Sequence, residues 1–194
     1  MKTLHNHYKS HRKYVHGPDI YNVMYEVFEN EFNGIPSSSK LSSRKLAQNN
    51  LAYTRSKSPG NTVYSIFEAS TDDENIVYYL YETDVKITSH VEYDESDIVE
   101  NAQFNLKSKE GNIFNYNRYS ISEISVALLK ELCNKIISNS VKWIFVQIHF
   151  SQPVAIYTRE PIKVTIEKNI GNKMVVGSIA LNGREIGGLK FSSK

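Results

Sequence analysis

The segment Ser120–Ile137, SISEISVALLKELCNKII, decides the fold class of this chain. Its apolar residues recur at intervals of three and four, which places them on one face of a helix. Val126 and Ala127 widen that face, so most sides of the helix are expected to be covered. The first four residues have the form of a capping box, in which Ser120 and Glu123 each bond the other's backbone N–H. We therefore predict a long, buried helix that starts at Ser120.

A similar helix is predicted near the beginning of the chain. Gly17 and Pro18 lead into it, and Asp19 lies in the first turn, where an acidic residue suits the helix dipole. Apolar residues then follow at helical spacing, namely Ile20, Val23, Met24, Val27 and Phe28. Asn33-Gly34 is expected to end the helix. The serine-rich residues 37–43 that follow are predicted to form a loop.

Short runs rich in β-branched and aromatic residues, separated by turn sequences, predict strands in the rest of the chain. The predicted strands are 51–55, 62–68, 76–82, 85–93, 104–107, 113–116, 143–150, 162–168, 174–181 and 185–191. The turn between 104–107 and 113–116 is expected at Lys109–Asn112. Two helices and many strands indicate an α+β protein in which antiparallel sheets cover the helices.

The helix-then-strands order occurs twice, with similar spacing. If 51–55 and 143–150 are the first strands after the two helices, Tyr53 corresponds to Phe150, and Val63 then corresponds to Ile162. This recurrence predicts an internal duplication. We predict a basic flexible arm at 1–13, a first unit at 14–84 and a second unit at 85–194.

The last third of the chain carries a more specific pattern. It comprises 145–154 (FVQIHFSQPV), 162–166 (IKVTI) and 175–187 (VVGSIALNGREIG). These segments resemble the closing strands of the hot-dog superfamily, which includes β-hydroxyacyl-ACP dehydratases and acyl-CoA thioesterases. Two such units in one chain would be similar to the double hot-dog arrangement. The resemblance implies that each unit is a long central helix wrapped by an antiparallel sheet.

The resemblance also implies chemistry on acyl thioesters at the helix starts. In hot-dog enzymes a backbone N–H at the start of the central helix binds the thioester carbonyl. A His before the helix and an acid on the helix transfer protons in the dehydratases. Carried over to this chain, the catalytic residues are His16, Asp19 and Glu123, with His16 and Glu123 paired in a composite site. The substrate-binding residues carried over are Gly17, Tyr21, Tyr119 and Ser120.

Each catalytic candidate also has a structural interpretation, which the sequence leaves open. His16 can bond a loop carbonyl, Asp19 can serve as a helix-start residue, and the capping box accounts for Glu123. The alternative function is a non-catalytic hot-dog that binds an acyl group or small ligand, or acts in assembly. A third possibility is an unrelated α+β protein whose basic arm binds nucleic acid.

The arm at 1–13 has several possible partners. It can contact the phosphates of coenzyme A, the acidic surface of an acyl carrier protein or nucleic acid, or remain a solvated tail. The balance of 23 basic and 21 acidic residues argues against a dedicated nucleic-acid binder. No zinc-ligand spacing or dinucleotide fingerprint occurs, so we predict no metal and no cofactor, with the substrate carried on CoA or phosphopantetheine.

The single cysteine is informative about the cellular compartment of the protein. Cys133 lies within an apolar helical pattern, which predicts a buried thiol and suits a reducing compartment. No signal-peptide pattern is visible, and no apolar run approaches the ~20 residues of a membrane span. We therefore expect a cytoplasmic protein without a membrane partner. A homodimer of such chains is possible.

Overall fold

The computed structural model describes residues 1–138 and 140–194. Contacts within the chain divide it into two compact units, Met1–Tyr93 and Asp94–Lys194. The boundary falls later than the predicted one after residue 84. It does so because His90–Val91 pairs in parallel with Tyr8–Lys9, which ties residues 85–93 to the first unit.

The first unit contains one long helix and seven strands within its described residues. The helix is α1 (Gly17–Phe32), and the strands are β1 (Lys2–Thr3), β2 (Tyr8–Lys9), β3 (Ser38–Ser43), β4 (Asn49–Thr54), β5 (Val63–Ser70), β6 (Asn75–Lys86) and β7 (His90–Val91). Five of these strands form an antiparallel sheet in the order β1-β4-β6-β5-β3. Strands β2 and β7 form a separate parallel pair.

The bounds of α1 agree with the prediction, and two tyrosines lie on its buried face beside the predicted apolar residues. Pro18 occupies the first turn, and Asn33 ends the helix in the left-handed conformation with φ 52°. The buried helix residues include Ile20, Tyr21, Met24, Tyr25 and Phe28. Across from them, residues of β5 alternate between buried and half-buried, as expected for a strand with one face in the core.

The serine-rich residues predicted as a loop instead form strand β3. Leu41 pairs with Phe67 of β5 and is fully buried, whereas the other side chains of β3 are polar. One of these, Ser39, is buried as well, and its hydroxyl lies 2.7 Å from the Tyr21 hydroxyl. Strand pairing and this buried hydrogen bond stabilise a segment whose composition alone is typical of loops.

Residues 1–13, predicted to be a flexible arm, are attached to the first unit along their length. Strand β1 pairs with β4, and the Leu4 N–H donates to the Leu51 carbonyl at 2.7 Å. Leu4 and Asn6 are each only 6% exposed, and the Asn6 N–H donates to the Asn50 side chain. The arm contains too few apolar residues for this attachment to be visible in its composition.

The strand predicted at 85–93 is present only at its ends. Strand β6 runs on to Lys86, and β7 covers two residues. Val85 and Val91 are 56% and 44% exposed, while Ile87 is buried at 8%. The alternation of apolar and polar residues in this segment therefore does not correspond to one buried sheet face.

The second unit contains two helices and six strands within its described residues. The helices are α2 (Glu95–Glu100) and α3 (Ile121–Ile136), and the strands are β8 (Gln103–Asn105), β9 (Glu110–Ile113), β10 (Trp143–Phe150), β11 (Ile162–Ile170), β12 (Met174–Leu181) and β13 (Arg184–Ser193). They form an antiparallel sheet in the order β10-β13-β12-β11-β9-β8. None of the helices in the described part of the chain is long and apolar enough to cross a membrane.

Helix α3 is buried along most of its length, as its wide apolar face predicted. Every residue from Ile121 to Leu129 is buried. A Cβ placed on Gly177 of β12 would lie 3.0 Å from a Leu129 methyl and from the Thr165 carbonyl oxygen, so the strand and the helix approach each other closely at this glycine. The sheet of this unit therefore packs directly against α3.

Two features between the helices differ from prediction. The acidic residues after Tyr93 form α2, in which the Asp94 side chain caps the Ser96 N–H. The hairpin turn lies before Glu110 rather than at 109–112, because the Asn105 side chain accepts from the N–H groups of Lys107 and Ser108. Such side-chain-to-backbone bonds fix a turn locally.

The duplication requires a revised alignment. Within the described residues, and with the two-residue strand β7 set aside, four strands follow the long helix of each unit, so β3 corresponds to β10, and Tyr53 in β4 does not correspond to Phe150 in β10. The strand order also differs: β10 neighbours the last strand of its unit, β13, whereas β3 neighbours β5. The hairpins β5–β6 and β12–β13 correspond, whereas the first strand after each helix pairs with a different member of its hairpin.

Candidate functional site

The start of α1 is formed by His16, Gly17 and Pro18, all of which are buried. His16 is the N-cap residue, with φ −71° and ψ 134°, and its carbonyl accepts from the N–H groups of Asp19 and Ile20 at 3.0 and 3.2 Å. Its imidazole is 6% exposed. The structure therefore places His16 immediately before the first long helix, as predicted.

Side chains from three segments surround His16 in what we call the α1-start cluster, composed of Lys9, Arg12, His16, Asp19 and Tyr93. Lys9 Nζ lies 2.7 Å from Asp19 Oδ1 and 4.3 Å from the centroid of the Tyr93 ring. The Arg12 guanidinium lies 5.3 Å from the same ring, and the His16 ring lies 5.5 Å from it at an angle of 48°. Tyr93 thus links both cations to the imidazole.

The charges of this cluster determine what it can do chemically. Asp19 is paired with Lys9, and the side chains of the two residues are only 21% and 12% exposed. The positive end of the helix dipole and the nearby cations favour negative charge on an oxygen atom bound at this helix start. An imidazole in the same place can accept or return a proton near neutral pH.

Sequence reasoning did not find the full cluster. Lys9 and Arg12 were recognised only as arm residues, and Tyr93 was assigned to the second unit. The parallel pairing of β2 with β7 brings these segments together, and two-residue strands leave no periodic signal. A long-range contact of this kind is not encoded in the local pattern of either segment.

Tyr21, predicted to bind substrate, lies in the core of the first unit. It is 1% exposed and contacts the Phe67 ring edge-on at 5.8 Å. Its hydroxyl lies 2.7 Å from Ser39 Oγ, and burial raises the pKa of this hydroxyl above its usual range. This geometry favours a packing role for Tyr21.

The start of α3 is held by the predicted capping box, which is complete. Glu123 Oε2 accepts from the Ser120 N–H at 2.8 Å and from Ser120 Oγ at 2.7 Å, and the Glu123 N–H donates to Ser120 Oγ at 3.2 Å. The Ile121 N–H donates to the Ile156 carbonyl at 2.8 Å. Protein groups therefore already use the N–H groups of Ile121 and Glu123.

Tyr119 precedes this helix at a half-buried position. The Arg118 guanidinium lies 5.8 Å from its ring, and the Tyr116 ring lies 6.1 Å away. Arg118 and the Tyr116 hydroxyl both bond Asp97, at 2.8 and 2.6 Å. The neighbours of Tyr119 therefore connect it to α2.

Two cavities in the second unit contain none of the predicted site residues. The larger, of about 330 Å³, lies between α2 and α3 and is lined by Val99, Ala127, Asn134, Ser96 and the charged residues Glu95, Glu100, Lys130 and Glu131. The smaller, of about 250 Å³, lies beside the turns that follow β10 and β12. Among the described residues, no group of three His, Cys, Asp or Glu side chains is arranged to hold a metal ion.

Cys133 is a core residue of α3, as its helical position predicted. It is fully buried, and burial raises the pKa of its thiol to about 12. A thiol with this pKa is almost entirely protonated near pH 7 and is a poor nucleophile.

Comparisons with known proteins agree on the fold. No model of a protein family matches the chain, and no curated protein matches it either. Among solved structures, the dehydratase domain of PpsC from Mycobacterium tuberculosis, in complex with C12:1-CoA, has a TM-score of 0.51 at 9% identity, over 93% of this chain and 85% of that one. The tesB protein of Mycobacterium avium subs paratuberculosis has a TM-score of 0.51 at 7% identity, over 97% of this chain and 91% of that one.

These similarities extend over nearly the whole of both chains and are therefore likenesses of complete folds. The helix-and-sheet composition of each unit agrees with the same conclusion. The chain therefore has the hot-dog fold that the sequence resemblance predicted.

Proposed function

We propose that this protein is a double hot-dog that acts on an acyl thioester carried on CoA or on the phosphopantetheine of a carrier protein. The fold supports the proposal, because its structural neighbours include a polyketide dehydratase domain in complex with an acyl-CoA. In this proposal the protein binds no cofactor of its own, and CoA or phosphopantetheine belongs to the substrate. The reaction is dehydration of a β-hydroxyacyl group or hydrolysis of the thioester.

The observation that carries the proposal is the buried His16 at the N-cap of α1. A thioester carbonyl bound at this helix start would lie beside the Gly17 N–H and the positive end of the dipole. In dehydration, His16 removes the proton from the α-carbon, and an acid returns a proton to the hydroxyl that leaves as water. In hydrolysis, the same imidazole or Asp19 activates a water molecule.

Asp19 and Glu123 differ in how well their surroundings suit a reaction. Asp19 is partly exposed and lies one turn into the helix that His16 caps, although Lys9 holds it. Glu123 is 6% exposed and accepts two hydrogen bonds from Ser120. The capping bonds favour a structural role for Glu123, and its pairing with His16 in one composite site stays a prediction.

The second candidate function is binding of an acyl group without turnover. The complete capping box supports it, because Ser120 and Glu123, two of the predicted site residues, bond each other there. Binding at the start of α1 would then be retained when His16 is replaced.

A panel of acyl-CoAs and acyl-pantetheines tests the proposal. Native mass spectrometry and thermal shift measure binding, and product analysis detects free thiol or an enoyl thioester. We expect at least one substrate to be turned over by the wild-type chain and by the control His11→Asn, in which an exposed histidine of the same unit is replaced. Binding without product would favour the second candidate, and no binding across the panel would refute both.

A further inference from the structure

One end of the second unit carries a concentration of lysines without acidic neighbours. Three segments meet there, 140–148, 168–176 and 188–194, and they contain no Asp or Glu. Their lysines, which we call the lysine surface, are Lys142, Lys168, Lys173, Lys190 and Lys194. None of the five makes an ion pair among the described residues, and all but the half-buried Lys190 are exposed.

Backbone pairing brings these lysines together. Lys168 and Lys190 both pair with Val176, from opposite sides of β12. The Lys194 N–H donates to the Lys142 carbonyl at 3.0 Å, and the adjacent Ser193 N–H donates to the Lys173 carbonyl at 2.9 Å. Neighbouring strands lie about 4.8 Å apart, so Lys168 and Lys190 are about 10 Å from each other at their Cα atoms.

This concentration of charge is unusual for the chain as a whole. The sequence has 23 basic and 21 acidic residues, so with these five lysines set aside the acidic residues outnumber the basic ones. Glu167, the acidic residue nearest in β11, accepts a hydrogen bond from Ser178. The lysines at this end of the unit therefore outnumber the acidic residue beside them.

Two large apolar side chains protrude from the same surface. Ile170 and Met174 pair directly across the β11–β12 turn and are 55% and 37% exposed. They lie at the tip of the hairpin, two residues beyond Lys168 and Val176 along their strands. Two strand residues span about 7 Å, so this apolar pair lies about that far along the strands from the row formed by Lys168 and Lys190.

We infer that the lysine surface docks this protein on an anionic lipid bilayer, with Ile170 and Met174 inserted at the headgroup boundary. Apolar residues of interfacial segments lie about 5–10 Å deep in this boundary. Flexible lysine stems keep their ammonium groups at the headgroup level while the tip inserts. The surface has no arginine, whose planar fork is the usual reader of fixed phosphate geometry in nucleic acids.

The lysine surface also lies away from the start of α3, the second helix start at which the resemblance implies substrate binding. It lies at the start of β10, whereas the start of α3 bonds Ile156, beyond the other end of that strand. The eight residues of β10 span about 26 Å. The inference uses none of the residues proposed to act on the thioester, so its test is independent of the proposed chemistry.

Vesicle flotation tests the inference, with phosphatidylcholine vesicles that contain or lack phosphatidylserine. We expect binding only with phosphatidylserine, and it should weaken as salt concentration rises. The double variant Lys168→Gln/Lys190→Gln should bind about 30-fold more weakly, about fivefold for each charge removed. The variant Ile170→Ser/Met174→Ser should also lose binding, although its lysines remain.

The matched control is Lys86→Gln/Lys107→Gln, which removes two exposed lysines from other places. It should bind like wild type, and thermal melting should show that all variants remain folded. The inference is overturned if wild type does not bind the anionic vesicles, or if the control loses as much binding as the lysine-surface variant. It is equally overturned if the apolar variant binds normally, or if the surface binds a random DNA duplex or an acidic protein but not the vesicles.

Discussion

The capping box of α3 allows a quantitative test of whether Glu123 has a structural role. In Ser120→Ala the helix loses its N-cap, which costs about 1 kcal/mol. The buried Glu123 carboxylate also loses the donor Ser120 Oγ at 2.7 Å while it keeps the Ser120 N–H. A buried charged acceptor that loses one donor costs about 1–3 kcal/mol, so the free energy of unfolding should fall by about 2–4 kcal/mol.

The variant Glu123→Ala removes the other half of the box. Because the two side chains bond each other, the double variant should lose less stability than the sum of the single variants, with a coupling of about 1 kcal/mol. The matched control is Ser125→Ala on the same helix. Ser125 is also fully buried, but its hydroxyl has no hydrogen-bond partner among the described residues, so its removal should leave stability unchanged or slightly higher.

Urea denaturation monitored by circular dichroism at 222 nm, a wavelength sensitive to helix, measures all four variants. If Ser120→Ala destabilises the chain no more than Ser125→Ala does, the capping box does not hold α3. Additive losses in the double variant would show that Ser120 and Glu123 act separately. In that case the carboxylate would regain its status as a candidate acid.

Three further predictions concern other parts of the chain. Burial raises the pKa of Tyr21, Tyr25, Tyr78 and Tyr116 above the usual value of 10.0. Above about pH 10 the folded chain therefore holds more protons than the unfolded chain. The free energy of unfolding should then fall as the pH rises. Tyr21→Phe should reduce that slope in alkaline urea titrations; an unchanged slope would contradict the burial of this hydroxyl. Gly187→Ala should prevent folding of the second unit, since the new Cβ would lie 2.0 Å from the His149 carbonyl oxygen. The control Gly34→Ala, whose Cβ would have its nearest atom at 4.0 Å, should fold normally. Circular dichroism measures both outcomes. Cys133 should react with a thiol reagent only after denaturation, and rapid reaction of the native chain would show that α3 is less buried than described.

Periodicity predicted both long helices because each buries a continuous face. The capping box at Ser120 was visible because its four residues are adjacent in sequence. Strand β3 was missed because Leu41 is its only large apolar residue, and the other side chains are stabilised by pairing rather than by hydrophobic pattern. The short helix α2 was missed for a similar reason, since only Ile98 of its six residues is buried.

The candidate site was predicted only in part, because its members come from distant segments. A His directly before a helix is a local feature, and His16 was found in this way. Lys9 and Tyr93 join it through the β2–β7 pairing, which no local pattern of two-residue strands can reveal. Tyr21 was assigned to the site because it lies near the helix start, but its direction on the helix places it among Phe67 and Tyr25.

The most direct test of the central claim compares wild type, His16→Asn and His11→Asn on the acyl thioester that the wild-type chain turns over fastest. If His16 is the general base at the start of α1, His16→Asn should lower kcat by about 10²–10⁴-fold, with KM changed far less, and His11→Asn should match wild type. Equal kcat for wild type and His16→Asn, with the fold intact, would contradict the account and remove His16 as the general base.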